Sequence, residues 1–205
     1  MPAITGNIHP TAEVDPTAAV PASSRVWQYA HVREDARVGE HCIIGRGAYL
    51  GPGVVVGDNC KIENYALVYE PARLGDGVFV GPAVVFTNDQ FPRAVTVDGQ
   101  LKTSADWEAV GVTVREGASI GARSVCIAPV VIGQWSLVGA GATVVKDVPD
   151  FALVVGSPAR RVGWVGRAGH PLTEQAPDVW VCPVTGSRYQ QVGPDQLVEL
   201  PGDAA

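Results

Sequence analysis

Glu70 and Asn88 stand eighteen residues apart. The first is a carboxylate that can hold or take a proton, and the second is a carboxamide that both donates and accepts hydrogen bonds but has no titratable group. Asn88 lies in VVFTNDQFPRA, residues 84–94. His31 adds an imidazole, the side chain most often used as a general base near neutral pH. His9, His41 and His170 have no ligand spacing with one another, so no metal is inferred. On local grounds alone, Thr87, Asn88 and Asp89 serve equally well as the caps of a turn.

What must position these groups is a rhythm of six. Cut from His9, the chain reads HPTAEV DPTAAV PASSRV WQYAHV REDARV GEHCII GRGAYL GPGVVV GDNCKI ENYALV YEPARL GDGVFV GPAVVF. The sixth place is always Val, Ile, Leu or Phe, and the fourth is always Ala, Ser, Cys or Val. A period of six fits neither a helix nor a long alternating strand. It fits a solenoid in which each hexad is one short strand and one corner, three hexads close a triangular coil, and places four and six point inward. Gly, Asp, Pro and Asn crowd places one to three, where the chain turns and where φ > 0 favours Gly, Asn and Asp. A β-sandwich is also rich in Gly and Val, but it would not hold one spacing through 78 residues. The phase returns with AVGVTV REGASI GARSVC IAPVVI GQWSLV GAGATV, residues 109–144, so the 22 residues 87–108 are an insertion. An excursion of that length is usually functional or disordered.

The expected architecture is all-β: a parallel β-helix over residues 8–150 with an inserted loop at 87–108, then a C-terminal segment and flap over 151–205. Outward fifth places eighteen apart stack on one face, about 4.8 Å per coil. One face carries His31, Tyr49, Leu67 and Val85; the next carries Arg25, Ile43, Lys61 and Phe79; the third carries Ala19, Arg37, Val55 and Arg73. The first is mostly apolar and is expected to be a subunit interface, satisfied by a homotrimer. Second places of the corner after that face are Glu34, Pro52, Glu70 and Asn88, so Glu70 and Asn88 are expected one coil apart, roughly 5 Å between backbones. The insertion then leaves the stack at that corner to roof a cleft between subunits. His31 sits about three coils away, roughly 14 Å, beyond direct proton transfer to this pair.

Composition narrows the rest. The net charge of −6, without a basic stripe, argues against nucleic acid. No stretch reaches the 18 or more apolar residues of a membrane span, and MPAITGNIHP has no signal-peptide character, so a cytoplasmic protein is expected. Cys42, Cys60 and Cys126 fall on inward places and are expected as small core fillers. Cys182 lies outside the repeat without the partners of a structural zinc site.

The chain resembles the left-handed parallel β-helix family of hexapeptide-repeat acyltransferases. VGAGATVVKDVPDFALVVGSPARRVGWV, residues 138–165, is similar to the end of its acetyl-CoA-dependent members. WQYAHVRE, KIENYALVYE, VFVGPAVVFTNDQFPRA and GASIGARS resemble the sugar-nucleotide N-acetyltransferases, above all those that acetylate the 3-amino group of a UDP-linked diamino-uronic acid. Relatives in the same branch use dTDP-linked 3-amino-3,6-dideoxyhexoses. The hexad alone signals the fold; FTND followed by PRA is more specific.

The resemblance implies acetyl transfer from acetyl-CoA to the amine of a nucleotide-linked sugar, with no metal required. It places Asn88 at the amine, with Glu70 near the same sugar, and implies substrate contacts from Trp27, His31, Arg33, Lys61, Asn64, Asp89 and Arg93. Asn88 would orient the amine. The proton acceptor stays open between Glu70, His31 and the leaving thiolate. Lys146, Arg160 and Arg161 form a cationic cluster suited to the phosphates of coenzyme A, with Gly139, Ala140 and Trp135 along the last coils expected beside the cofactor; a contact between Trp135 and the tail is equally expected. Two other readings remain: an O-acetyltransferase, which needs a base such as His31, and a non-catalytic binding or scaffold protein of the same fold.

Overall fold

The computed structural model describes residues 7–201 and shows a left-handed parallel β-helix closed by a small antiparallel sheet. Its hexad strands are mostly two residues long and contribute to three sheets of seven, five and eight strands, which form the walls of a triangular prism. The faces are those the repeat predicts. His31 pairs with Tyr49, Tyr49 with Leu67 and Leu67 with Val85. Ile43, Lys61 and Phe79 stack on the second face, and Arg37, Val55 and Arg73 on the third.

Places four and six fill the prism. Ala30, Ala48, Ala66 and Val84 are completely buried in one column of fourth places, and Val32, Leu50, Val68 and Phe86 in the sixth places beside them. Small residues are needed at place four because it lies close to a corner, where the walls converge; branched residues at place six fill the wider space. Cys42, Cys60 and Cys126 lie in this interior. Cys42 and Cys60 do more than fill: their thiols donate to the carbonyls of Gly57 and Gly75, at 3.1 and 3.2 Å.

The corners refine one expectation. Third-place residues adopt positive φ, and not only the expected Gly, Asn and Asp: Tyr29 and Tyr65 do so as well as Asn59. First-place glycines do not need it. A Cβ on Gly45 would come within 2.6 Å of the Asn64 backbone nitrogen, so glycine stands there because successive coils approach too closely for a side chain.

The insertion interrupts the stack without disturbing it. Val85 pairs with Val125, forty residues on instead of eighteen, which matches an excursion of 22. Its root is tied by Val110 N–H donating to the Asn88 carbonyl at 3.0 Å. Within it, Val95 and Leu101 form an antiparallel bridge, and Thr103 caps a short 3-10 turn over Ser104–Asp106. Phe91, Val97 and Leu101 are exposed at its surface.

The parallel coil continues through Ala152–Val155, which pairs with Leu137–Val138, so the expected limit at 150 falls inside a coil. Arg160–Trp164 then turns back antiparallel onto this strand. Beyond it, Thr173–Ala176, Val179–Val181, Arg188–Gly193 and Gln196–Glu199 form a four-stranded antiparallel sheet in chain order. Tyr189, Cys182 and Leu197 from this sheet are buried with Trp164 and Phe151, closing the open end of the prism as solenoids require. No helix among the described residues is long and apolar enough to cross a membrane.

Candidate active site

The corner that follows the His31 face carries the chemistry-bearing pair. Asn88 Nδ2 donates to Glu70 Oε1 at 3.2 Å. Both side chains are half-buried. The backbone around Asn88 is pinned on two sides: its carbonyl receives Val110 N–H, and the neighbouring Thr87 Oγ1 accepts from Ala128 N–H at 3.0 Å. Glu70 folds back over the preceding coil. A Cβ at Gly51 would collide with Glu70 Oε2, so this glycine makes room for the carboxylate. Glu70 Oε2 is buried and has no hydrogen-bond partner.

Below the pair runs an aromatic and charged ladder. His31 and Tyr49 meet edge to face at 5.6 Å, and Tyr49 lies 5.1 Å from Tyr69. Arg33 forms a two-pronged ion pair with Glu34, at 2.7 and 2.8 Å, and donates to the Tyr49 hydroxyl at 3.3 Å. Burial raises the Tyr49 phenol above its ordinary value; the Glu70 carboxylate adds to this and Arg33 opposes it. Tyr49 and Tyr69 were not singled out as site residues. The available signal was positional: Tyr49 stacks directly over His31, and Tyr69 immediately precedes Glu70. His31 itself lies three pairings from Val85, which keeps its imidazole about 14 Å from the level of Asn88. Its nearest carboxylate is Glu13, at 4.0 Å.

The other expected substrate residues are spread out. Trp27 and Asn64 occupy the corner before the His31 face, where they line a groove of about 300 Å³ with Arg46 and Glu63; Lys61 is exposed on the adjoining face. The Asn64 side chain is already engaged, Oδ1 accepting from Arg46 N–H at 2.8 Å. Asp89 holds its own loop by accepting from Phe91 N–H at 2.8 Å, and exposed Arg93 donates to the adjacent Pro92 carbonyl.

Of the cofactor set, Lys146, Arg160 and Arg161 come together. They line one cleft of about 250 Å³ beside the last coils. Lys146 lies on the same corner as Asn88, two coils on through the pairings of Phe86 with Cys126 and Cys126 with Val144, a rise of about 10 Å. Arg161 is partly committed: it contacts Asp195 and the Pro194 carbonyl and stacks on Trp164 at 4.2 Å. Lys146 and Arg160 make no ion pair among the described residues. Arg160 donates to the adjacent Ala159 carbonyl at 2.8 Å, and Asp147 and Asp195 line the same cleft; the two cations without an ion pair suit a polyanionic ligand such as coenzyme A. Gly139 and Ala140 are on the corner shared with Trp27 and Asn64, and Trp135 is on the third corner, where Arg167 of the tail stacks on its ring at 4.6 Å. The structure therefore shows the tail contact for Trp135 and does not bring it to the cationic cleft. Among the described residues, no three His, Cys, Asp or Glu side chains are grouped to hold a metal ion.

Comparison with known proteins agrees with this architecture. Residues 53–88 match the bacterial transferase hexapeptide (six repeats), and residues 36–65 and 111–146 match the hexapeptide repeat of succinyl-transferase. The dTDP-3-amino-3,6-dideoxy-alpha-D-galactopyranose 3-N-acetyltransferase of Aneurinibacillus thermoaerophilus is 52% identical over 59 residues, 28% of this chain and 31% of that protein. The chain thus spans under a third of that curated relative's length in the match. PerB from Caulobacter crescentus, solved with CoA and GDP-perosamine, is 29% identical with a TM-score of 0.53, covering 76% of this chain and 56% of that one. The D94A mutant of AntD, an N-acyltransferase from Bacillus cereus solved with dTDP and coenzyme A, has a TM-score of 0.60 over 77% and 84% of the two chains; at 18% identity it shows the fold alone.

Proposed function

From the premise that this chain belongs to the hexapeptide-repeat transferase family, we propose that it is an N-acetyltransferase that transfers an acetyl group from acetyl-CoA to the amine of a nucleotide-linked amino sugar. The observation that carries this reading is one corner of the prism. It holds a pinned carboxamide at the root of the insertion and, two coils on, a lysine in a cleft with arginines. A donor bound by its phosphates at the cleft would lie along the same edge as the carboxamide.

The similar proteins carry dTDP- and GDP-linked amino sugars in their names and titles. Together they favour a dTDP- or GDP-linked amino sugar over the UDP-linked diamino-uronic acid expected from the sequence motifs, and the first supports a dTDP-linked 3-amino-3,6-dideoxyhexose.

Acetyl-CoA would supply the acyl group, activated as a thioester. Lys146 and Arg160 would hold its phosphates. Asn88 would accept a hydrogen bond from the incoming amine at Oδ1 and hold the nitrogen in the attacking direction. It has no group that titrates, so its part is orientation. The distance to His31 leaves no imidazole within reach of this amine, which favours an amine acceptor over a hydroxyl that needs a base.

The apolar His31 face, with Tyr49, Leu67 and Val85 half-buried in the single chain, suits association into a homotrimer that places the Asn88 corner beside a neighbour. Light scattering should report three times the chain mass, and a monomer at micromolar concentration would remove the shared cleft.

The test of function is thiol release from acetyl-CoA with dTDP-3-amino-3,6-dideoxygalactose, together with the acetyl mass gain of the sugar nucleotide. Equal release with the 3-hydroxy analogue would favour O-acetyl transfer. Release with neither would leave a binding protein.

A further inference from the structure

We propose that Glu70 is a positioning residue that acts through Asn88, holding its carboxamide in the one orientation that turns Oδ1 toward the acceptor amine. This rests on the reading above. The inference starts from what second-place side chains do elsewhere in the prism. Asp58 Oδ1 accepts from Glu40 N–H, Asp76 Oδ1 from Asp58 N–H and Asn64 Oδ1 from Arg46 N–H, each at 2.8 Å and each reaching back exactly one coil. An Asn88 that followed this habit would spend its Oδ1 on the Glu70 amide. Instead its Nδ2 faces Glu70 Oε1.

That contact also selects the orientation. A carboxamide facing a carboxylate must present its N–H, because the reverse would set two acceptors against each other. The carbonyl oxygen is then left for a donor outside the pair, and the amine is such a donor. Gly51 is what lets the carboxylate reach this place, since any Cβ there would collide with it. With Oε2 buried and unpartnered, Asn88 Nδ2 is the hydrogen-bond donor that the side chain of Glu70 has among the described residues. The main chain is tied on one side by Thr87 N–H donating to the Cys126 carbonyl and on the other by Val110 N–H donating to the Asn88 carbonyl, each at 3.0 Å, which leaves side-chain rotation as the freedom for Glu70 to remove.

An exchange of donor and acceptor tests this. Asn88→Asp sets two carboxylates face to face, and Glu70→Gln allows the Asn88 carboxamide either flip. The double variant Glu70→Gln/Asn88→Asp restores one donor facing one acceptor and returns a free oxygen to the amine. With dTDP-3-amino-3,6-dideoxygalactose, each single variant should lower kcat by about tenfold or more, with KM for acetyl-CoA within about twofold. The double variant should recover most of the Asn88→Asp loss.

A second readout needs no turnover. Asn88→Asp should lower the melting temperature more at pH 8 than at pH 5, because facing carboxylates are relieved when they share a proton; the double variant should lose that dependence. Burial holds the nearby Tyr49 phenol above its ordinary value, so it stays neutral across this interval, and Arg33 beside it stays charged. No recovery of kcat in the double variant, in a wild type that turns over, would overturn the positioning role. A wild type inactive on amino sugar nucleotides would instead overturn the acetyltransferase reading, while the melting data would still report whether the two side chains meet.

Discussion

Two corners of the prism use the same place in the repeat for opposite ends. On the corner before the Lys61 face, Asp58 and Asp76 turn their second-place carboxylates onto backbone N–H groups one coil earlier. On the corner after the His31 face, Glu34 pairs with Arg33, and Glu70 meets Asn88. The first set tightens the stack by spending one oxygen of each carboxylate on a backbone N–H. The second leaves its backbone to the ordinary ladder and spends its side chains on one another, so that an oxygen is left facing outward. A repeat can therefore carry a site without changing its period, by withholding one side chain from its structural task.

The comparison is broken most forcefully at Asn88. Asn88→Ala should reduce kcat about 100-fold while KM for acetyl-CoA changes little, measured by steady-state thiol release. A kcat within a few-fold of wild type would mean that the two corners do not differ in kind. His31→Ala should leave the shape of the kcat against pH profile intact, given its three-coil separation. Loss of a basic limb in that variant alone would restore histidine as the base.

Next in size is the cationic cleft. Replacing Lys146 and Arg160 together by Ala should raise KM for acetyl-CoA roughly tenfold, in line with the loss of one or two charge-assisted contacts, with less effect on KM for the sugar nucleotide. Added salt should reproduce part of the change. Equal effects on both substrates would assign the cluster to the tail instead.

Asp58→Ala sharpens the contrast from the structural side. Loss of a second-place cap should cost about 1 kcal/mol of stability, read from chemical denaturation, with kcat and both KM values unchanged. The smallest effect comes from inside the prism, where neither corner is touched. Burial pushes the Cys126 thiol from its ordinary 9.0 up to about 12, so the folded state favours the protonated form. Its contribution to stability is complete below about pH 9 and is lost as pH rises from there toward about 12. Cys126→Val, which places at this position the residue most other sixth places hold, should flatten the alkaline decline of the melting temperature.

Much of this was legible because parallel coils convert sequence separation into height. Glu70 and Asn88 were expected one coil apart and are in contact; the separation of His31 from Asn88 follows from the same count. What was not legible is how each side chain spends its hydrogen bonds. Nothing in ENY or FTN says that Asn64 is committed to the Arg46 amide while Asn88 keeps its oxygen. That difference arises from Glu70 and Gly51 on the neighbouring coils. The tail was harder still, because it has no period. Its proline–aspartate pairs at 177–178 and 194–195 mark two of the three hairpin turns, but the stacking of Arg167 on Trp135 joins residues that no spacing relates.

By itself the sequence determined the three faces, the inward columns, the length of the insertion and the level at which each polar residue stands, because a hexad in a solenoid leaves one place per corner and one height per coil. The tertiary structure alone decided which of those polar residues remain available. Hydrogen-bond partners come from the coils above and below and from a tail outside the repeat, and a donor or acceptor already paired within the protein offers little to a ligand.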